Sequence, residues 1–290
     1  MSLDKRIHAY GEDWADVRLK GRVEAARYVE GRRANVRVPI ADLRRRPASD
    51  APLETQALFG EAVLIFQTGD EGWSLVQLEA DSYVGFMPTE ALGPATGDLP
   101  FKVHVPRTFV FFAPDIKAPP LDALPMGARV AIIGEASDHN ADYRLVAPFG
   151  AVVAQHLSPS SEVAPDFVAV AERFLGAPYL WGGKSVLGID CTGLTQMALA
   201  MAGIAAPRDS DMQEAWAIEI DPAAPRQRGD LVFWKGHVGI MLDGARLLHA
   251  NAHHMMTAIE PLDEAVARIG ARGSPVTSVR RAPAHLRQAA

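Results

Sequence analysis

The single cysteine of the chain, Cys191, lies in the segment GIDCTGLTQMALAMAG, which spans residues 188–203. Apolar residues recur at helical spacing after it and Gly203 supplies a stop, so the pattern predicts a helix that begins at or near Cys191. The partial positive charge of a helix N-terminus favours the thiolate and lowers a cysteine pKa below about 8.5. Position alone leaves two interpretations open, a nucleophile or a small buried core residue.

Two histidines that could serve this thiol lie in GDLVFWKGHVGIMLDGARLLHANA, residues 229–252, a strand followed by a hairpin. A two-residue loop would place His237 and His249 on opposite faces of the sheet. A three-residue loop, Leu242-Asp243-Gly244 with its glycine in the left-handed conformation, pairs His237 directly with His249 and makes better sense of the apolar residues. One histidine could then accept the thiol proton while the other orients it.

Composition limits the classes of protein to consider. The chain has 290 residues, 48% of them hydrophobic, which suits two or three domains with their own cores. A net charge of −6 argues against a nucleic-acid or anionic-membrane partner. One cysteine cannot form an intrachain disulfide, and the longest apolar-leaning run, residues 194–206, is shorter than the roughly 20 residues of a membrane span.

The N-terminus is charged throughout and has no apolar stretch of signal-peptide length. This predicts a cytoplasmic protein, and the alternative is an exported protein whose signal has been removed. Residues 1–33 have apolar residues at helix-compatible spacing, which predicts an N-terminal helical arm packed on the β-rich region after it.

Short β-rich runs broken by Gly, Pro and Asp fill most of residues 34–160, and they repeat. LFGEAVLIF (58–66) aligns with PMGARVAII (125–133), and WSLVQL (73–78) with YRLVAP (143–148). Two copies of a small barrel, 34–96 and 97–160, are the predicted domains. The first copy, ADLRRRPASDAPLETQALFGEAVLIFQTGDEGWSLVQLEADSYVGFMPTEAL (41–92), resembles a bacterial SH3 domain, with an Arg-x-Pro loop, a Gly-Trp and a Gly-aromatic strand.

After the Ser/Pro-rich linker at 158–165 the pattern becomes helical, and residues 161–290 form the last predicted domain. Within it, residues 165–255 resemble the NlpC/P60 family of papain-like cysteine peptidases, through GAPYLWGGKSVLGIDCTGLTQMAL, PRDSDMQ, RGDLVFW, HVGIML and LLHA in that order. Together the resemblances imply two SH3-like all-β barrels followed by an α+β papain-like domain.

The NlpC/P60 resemblance implies roles for individual residues. Cys191 corresponds to the nucleophile, His237 to the base and His249 to the polar residue that orients it, with the Cys191 backbone N–H in an oxyanion hole. Tyr179 and Asp190 match positions that contact the free amino group of a substrate L-alanine, although Asp190 could also act as the N-cap of the Cys191 helix. Further residues at matching positions are expected to line the substrate site: Trp181, Thr192, Arg208, Ser210 and Gln213.

The function implied is a cysteine endopeptidase that hydrolyses the γ-D-Glu–diamino acid bond of peptidoglycan stem peptides. Its substrate would be a murein peptide with a free N-terminus, L-Ala-γ-D-Glu-diamino acid, as arises in cell-wall recycling. No metal or organic cofactor is implied, because a thiol and an imidazole suffice for amide hydrolysis, and no particular oligomeric state is predicted. The alternatives are a papain-like acyltransferase or lipid hydrolase, and a non-catalytic wall-binding protein.

Overall fold

The computed structural model describes residues 3–221 and 223–283 of the chain. The chain divides between Ser160 and Ser161 into two compact units, and each is described by itself. Within the described ranges, no helix combines the length and the apolar composition that a membrane span needs.

The segment before the first large sheet forms two short parallel strands in place of an α-helix. These are β1 (Trp14–Asp16) and β2 (Arg27–Val29), with a 3-10 helix over Val17–Leu19 between them. The prediction of a helical arm over residues 1–33 is therefore wrong, since the described part of this segment contains no α-helix.

Tertiary packing explains why the helical spacing was misleading. Trp14 and Ala9 share a buried cluster with Phe66, and the ring centroids of Trp14 and Phe66 lie 5.8 Å apart. Gly21 adopts a φ of +83°, a left-handed conformation that interrupts a helix and that glycine adopts without strain. The segment does pack on the next strands of the chain, as predicted, but contacts to those strands rather than helix propensity fix its conformation.

A seven-stranded antiparallel sheet comes after this segment. Its strands are β3 (Arg32–Val36), β4 (Ile40–Arg44), β5 (Leu53–Leu58), β6 (Ala62–Thr68), β7 (Trp73–Leu78), β8 (Val84–Pro88) and β9 (Leu92–Pro94). Their spatial order is β5-β4-β8-β7-β6-β3-β9. Inward side chains such as Leu43, Val76 and Met87 are fully buried and form one core, as the period-2 alternation of a half-buried strand requires.

The rest of the N-terminal unit repeats this arrangement. Its strands are β10 (Phe101–Val103), β11 (Arg107–Phe111), β12 (Pro120–Pro125), β13 (Arg129–Val130), β14 (Ile132–Ser137), β15 (Asp142–Val146), β16 (Ala151–Val153) and β17 (Leu157–Pro159). They form two sheets, β12-β11-β16-β15-β14 and β13-β10-β17. With β13 and β14 taken as one interrupted strand, the order matches the first sheet. The aligned glycines Gly60 and Gly127 both have positive φ, +82° and +89°.

The C-terminal unit combines helices with a six-stranded antiparallel sheet. The strands are β18 (Lys184–Ser185), β19 (Gly188–Ile189), β20 (Ile218–Glu219), β21 (Asp230–Trp234), β22 (His237–Met241), β23 (Arg246–Asn251), β24 (Met256–Pro261) and β25 (Val276–Arg281). The helices are α1 (Phe167–Glu172), α2 (Cys191–Met201), α3 (Ser210–Trp216) and α4 (Leu262–Gly270). The sheet order is β20-β25-β21-β22-β23-β24, and β18 and β19 form a separate hairpin.

Two helices contact the part of the sheet that carries the histidines. Trp234 and Leu247 pack in one buried cluster with Ala265 of α4, so α4 covers the sheet face to which these side chains point. Helix α2 contacts β22 and β23. The strands with His237 and His249 are therefore adjacent to the helix that begins with Cys191.

Candidate active site

Helix α2 begins at Cys191, as its sequence predicts. Asp190 is the N-cap, with extended backbone (φ −99°, ψ 176°), and its Oδ1 accepts a 2.6 Å hydrogen bond from the Gly193 backbone N–H. An aspartate N-cap satisfies one of the N–H groups that a helix start leaves without an intrahelical partner. The backbone N–H of Asp190 donates to the Gly183 carbonyl at 3.3 Å, which ties the start of the helix to the β18–β19 hairpin.

The Asp190 carboxylate is buried and accepts several hydrogen bonds. Arg208 donates to both of its oxygens, at 3.0 and 2.8 Å, in a bidentate ion pair. Thr192 Oγ1 donates to Oδ1 at 3.0 Å, and the Gly182 backbone N–H donates to Oδ2 at 2.8 Å. Asp190 and Arg208 are 6% and 1% exposed, so each charge compensates the other in a site that water does not screen.

Two of the residues predicted to line the substrate site support the start of α2. The Arg208 and Gln213 side chains are fully buried. Gln213 Nε2 donates to the carbonyls of Thr192 and Pro207, at 3.1 and 2.9 Å. Both side chains hydrogen-bond to Thr192 in the first turn of α2, and the expectation that Arg208 and Gln213 line the substrate site stays a prediction.

The other predicted site residues differ in exposure. Trp181 is 63% exposed, and Ser210 begins α3 and is half-buried. Tyr179 is half-buried, and its backbone N–H donates to the Met255 carbonyl at 3.0 Å. Burial raises the pKa of the Tyr179 hydroxyl, and the charges of Cys191 and Asp190 raise it further. Tyr179 therefore lies within electrostatic range of both residues.

The two histidines form a direct hydrogen bond, His237 Nε2 to His249 Nδ1, at 2.8 Å. The predicted three-residue loop is present but lies one residue later, over residues 243–245, because Leu242 N–H donates to the Arg246 carbonyl. Asp243 Oδ1 accepts from the backbone N–H groups two and three residues later, which fixes this turn without a left-handed Gly244.

The pairing register of this hairpin corrects the prediction that His237 lies directly opposite His249. Ile240 pairs with Leu248 and Met241 with Leu247, a shift of two residues from the predicted register. Because side chains alternate with a period of two, this shift keeps both histidines on the same face. They are diagonal neighbours rather than direct partners, which imidazole rings can span.

The thiol lies beside the strand that carries His237. The backbone N–H of Val238, the residue after His237, lies within hydrogen-bonding reach of the Cys191 sulfur. Burial raises the pKa of the Cys191 thiol to about 12, and the Asp190 carboxylate adds to this increase. The Val238 and Thr192 N–H groups and Arg208 act in the opposite direction but do not outweigh burial. The helix N-terminus therefore favours the thiolate as predicted, but the predicted net lowering of the Cys191 pKa is wrong because burial has the larger effect.

Both histidines are neutral at pH 7. Burial lowers the pKa of His237 to about 3, and the neighbouring His249 and Arg268 lower it further. Burial also lowers the pKa of His249 to about 4, against the opposing effect of Glu260. The resting pair is therefore a neutral thiol and a neutral imidazole, and proton transfer between them accompanies reaction rather than preceding it.

Two residues behind the histidines were missed in the sequence. Glu260 Oε1 accepts from His249 Nε2 at 2.6 Å, and Arg268 donates to the same oxygen. The only signal was a single carboxylate in a β-rich run, and it becomes meaningful once β24 is known to pair with β23. His254, Glu260 and His249 have ligand atoms within 4.8 Å of one another, but the Arg268 cation on Glu260 opposes binding of a metal ion there.

Comparison with known proteins gives two family matches. Residues 176–268 match the NlpC/P60 family, and residues 43–92 match the bacterial dipeptidyl-peptidase Sh3 domain. The chain is 35% identical over 112 residues to dipeptidyl-peptidase 6 of Lysinibacillus sphaericus, covering 39% of this chain and 41% of that protein.

Longer matches link both units to named enzymes. The chain is 28% identical to the γ-D-glutamyl-L-lysine dipeptidyl-peptidases of Bacillus cereus and Bacillus subtilis, covering 73% and 70% of this chain and 71% and 73% of theirs. A crystal structure of an NlpC/P60 family protein from Bacillus cereus superimposes with a TM-score of 0.72 at 21% identity, covering 86% of this chain and 99% of that one. At that identity the likeness shows a shared fold.

Proposed function

We propose that this chain, a peptidase that carries an NlpC/P60 domain and a bacterial SH3 domain, hydrolyses the γ-D-Glu–diamino acid bond of peptidoglycan stem peptides. The observation that carries the proposal is the set of three side chains: Cys191 at the start of α2 and the hydrogen-bonded pair His237–His249 on the adjacent strands. The names of the Bacillus relatives, which specify γ-D-glutamyl-L-lysine, support the substrate class.

The reaction can be built from these groups. His237 takes the Cys191 proton as the sulfur attacks the γ-carbonyl carbon of D-Glu, which gives a tetrahedral oxyanion near the N–H groups at the start of α2. As the C–N bond breaks, His237 gives its proton to the departing amine of the diamino acid. A water molecule, deprotonated by His237, then attacks the thioester, and the released thiolate regains the proton.

A free N-terminal L-Ala on the substrate is the finer part of the proposal. Asp190 lies next to the nucleophile, and a carboxylate suits an ammonium group. Because Arg208 already pairs with both oxygens of Asp190, an ammonium group would share that carboxylate with Arg208, and Tyr179 would supply a second contact. Such short peptides arise in cell-wall recycling, and a cytoplasmic location stays a prediction.

We also propose the finer architecture that the sequence predicts: a second SH3-like barrel over 97–160 and a papain-like arrangement in 161–290. The repeated strand order of the two β-regions supports the second barrel. The predicted boundary between 34–96 and 97–160 lies between the end of β9 and the start of β10.

Two peptides test the substrate. Purified protein is incubated with L-Ala-γ-D-Glu-diaminopimelate and with the same peptide acetylated on its alanine nitrogen, and products are monitored by mass spectrometry. The expected result is release of diaminopimelate from the free-amine peptide only. Equal cleavage of both would remove the amine requirement and favour intact wall as substrate. Cleavage of neither this pair nor the matching pair with L-lysine in place of diaminopimelate would contradict the proposed bond.

A further inference from the structure

A buried carboxylate lies directly behind the two histidines, and the reaction described above gives it no role. Glu260 is 7% exposed. Its Oε1 accepts from Nε2 of His249 at 2.6 Å, and the Arg268 guanidinium of α4 donates to the same oxygen. A buried charge is costly unless it is paired, and His249 and Arg268 supply the partners that Glu260 needs.

The sheet register places Glu260 in line with the histidines. β23 and β24 pair Leu247 with Glu260 and His249 with Ala258, so Glu260 is the diagonal neighbour of His249 on the same face. His237 is the diagonal neighbour of His249 on the other side. The three side chains therefore form a continuous line across β22, β23 and β24, and it ends at Arg268.

Hydrogen-bonding capacity fixes the direction of this line. An ionised carboxylate only accepts hydrogen bonds, so Nε2 of His249 carries the hydrogen. In a neutral imidazole the other nitrogen is then an acceptor, so Nδ1 of His249 accepts from an N–H at Nε2 of His237. Nδ1 of His237 is left without a hydrogen, which is the state a base needs.

We propose that Glu260, held by Arg268, is a positioning residue that fixes the tautomer of His249 and through it that of His237, so that Nδ1 of His237 receives the Cys191 proton. The proposal rests on the roles proposed above for Cys191 and His237. The negative charge of Glu260 also stabilises the imidazolium that forms on His237 when the thiol proton moves.

The surrounding charges are consistent with an ionised Glu260. Burial alone would raise the pKa of Glu260, but hydrogen bonds from Arg268 and His249 outweigh it and lower the pKa. Among the described residues, His254, which comes after β23, and Asp190 at the start of α2 also act on the two histidines. A neutral amide at position 260 would lose this charge and could present either its oxygen or its NH2 to His249, so it would no longer select one tautomer.

Alkylation of the thiol tests the proposal without any peptide substrate. Cys191 is the only cysteine, so the rate of iodoacetamide addition to the full chain, read by intact mass, reports that thiol alone. Glu260→Gln is expected to slow alkylation at pH 7.5 by about tenfold to a hundredfold, by analogy with the cost of losing the outer hydrogen-bond partner of a metal-ligating histidine. The matched control Glu264→Gln removes the same charge from an exposed position on α4 and is expected to leave the rate unchanged.

A double variant separates positioning from a general structural effect. If Glu260 acts through His249, Glu260→Gln in a His249→Asn background should slow alkylation by less than twofold, because the tautomer it selects is already gone. An equal further loss in that background would overturn the proposal, as would a wild-type rate in Glu260→Gln alone. Failure of the substrate assignment would leave these rates unaffected, so the two proposals fail separately.

A second pair of variants covers the case in which Glu260→Gln does not fold. Arg268→Gln keeps the His249–Glu260 hydrogen bond but removes the cation that keeps Glu260 ionised, and Arg272→Gln removes an exposed arginine just after α4. The proposal predicts slower alkylation in Arg268→Gln, with the loss growing as pH falls from 8 to 6, and no change in Arg272→Gln. Equal rates for both variants across this range would overturn it.

Discussion

At Cys191, burial and the position at a helix start shift the pKa of the thiol in opposite directions. The helix N-terminus that the sequence predicts is present, and its N–H groups favour a thiolate. Desolvation of Cys191, which is only 7% exposed, has the larger effect and, together with the adjacent Asp190 carboxylate, raises the pKa of the thiol to about 12. The sequence predicted the position of this residue but could not predict its burial, which depends on how α2 packs on the sheet.

The pH dependence of alkylation checks this balance. With a raised thiol pKa and a neutral His237, the thiolate fraction of Cys191 should be small at neutral pH and should rise steadily towards high pH. In a His237→Ala variant, where only the free thiolate reacts, iodoacetamide addition is therefore expected to accelerate continuously from pH 6 to pH 10. A rate in that variant that is already constant between pH 6 and pH 8 would contradict a thiol pKa raised by burial.

The Asp190–Arg208 pair gives a second prediction at the residue scale. Replacing Asp190 by Asn leaves the Arg208 cation buried without its partner, which typically costs about 3–5 kcal/mol of unfolding free energy. The double variant Asp190→Asn/Arg208→Met should recover at least half of that loss. Urea unfolding monitored by tryptophan fluorescence measures the unfolding free energy of the single and the double variant. A double variant that is less stable than Asp190→Asn alone would show that the charges are not the main effect.

At the scale of elements, three adjacent strands and one helix start bring the site together. The alternation of apolar residues along β22 and β23 was enough to predict that His237 and His249 share a face, because a register shift of two preserves the face. It was not enough to fix the register, which the Asp243 turn determines. Glu260 could not be predicted at all, since its importance depends on which strand pairs with β23.

Gly193 provides a test of the α2 start. A Cβ at this position would lie 2.2 Å from the Gly183 carbonyl oxygen, so the backbone there must move. Gly193→Ala should therefore destabilise the protein and slow alkylation of Cys191, although alanine is the better helix former by about 1 kcal/mol. The matched control Gly270→Ala, at the end of α4 where a Cβ meets nothing within 4 Å, should leave the alkylation rate unchanged.

A stable Gly193→Ala variant with a wild-type alkylation rate would contradict the close approach of α2 to the β18–β19 hairpin. A drop in stability and in alkylation rate in Gly270→Ala as well would mean that the effect of Gly193→Ala does not come from its contact with the Gly183 carbonyl oxygen.

At the scale of the whole molecule, the order of β-rich and helical regions was predictable from the Gly and Pro residues that interrupt the strands and from the internal repeat. The chain divides between Ser160 and Ser161, inside the predicted linker at 158–165. The N-terminal segment was not predictable in the same way. Its apolar residues have helical spacing, but contacts such as Trp14 with Phe66 decide its conformation, and such contacts are absent from local sequence.

Buried neutral histidines make global stability depend on pH. The pKa of His249 is lowered to about 4 in the folded protein, whereas an exposed histidine has a pKa near 6.5. Between these values the unfolded chain binds a proton that the folded chain does not, so stability falls with decreasing pH by about 1.4 kcal/mol per pH unit for this residue. The slope is smaller close to pH 6.5, so His249→Asn should flatten the fall in unfolding free energy between pH 6.5 and 5.0 by about 1 kcal/mol per pH unit.

The control for this measurement is His139→Asn, which changes an exposed histidine and should keep the wild-type slope. Equal slopes in wild type and His249→Asn would mean that His249 is charged in the folded protein near pH 5.

Turnover by a Cys191→Ala variant tests the central claim most directly, because every step proposed here passes through that sulfur. Wild type and variant are compared on L-Ala-γ-D-Glu-diaminopimelate in ¹⁸O-labelled water, with products read by mass spectrometry. Wild type is expected to release L-Ala-D-Glu with one ¹⁸O in the γ-carboxylate, and Cys191→Ala to release none above background. Cleavage by Cys191→Ala at the wild-type rate would contradict the role of Cys191 as the nucleophile.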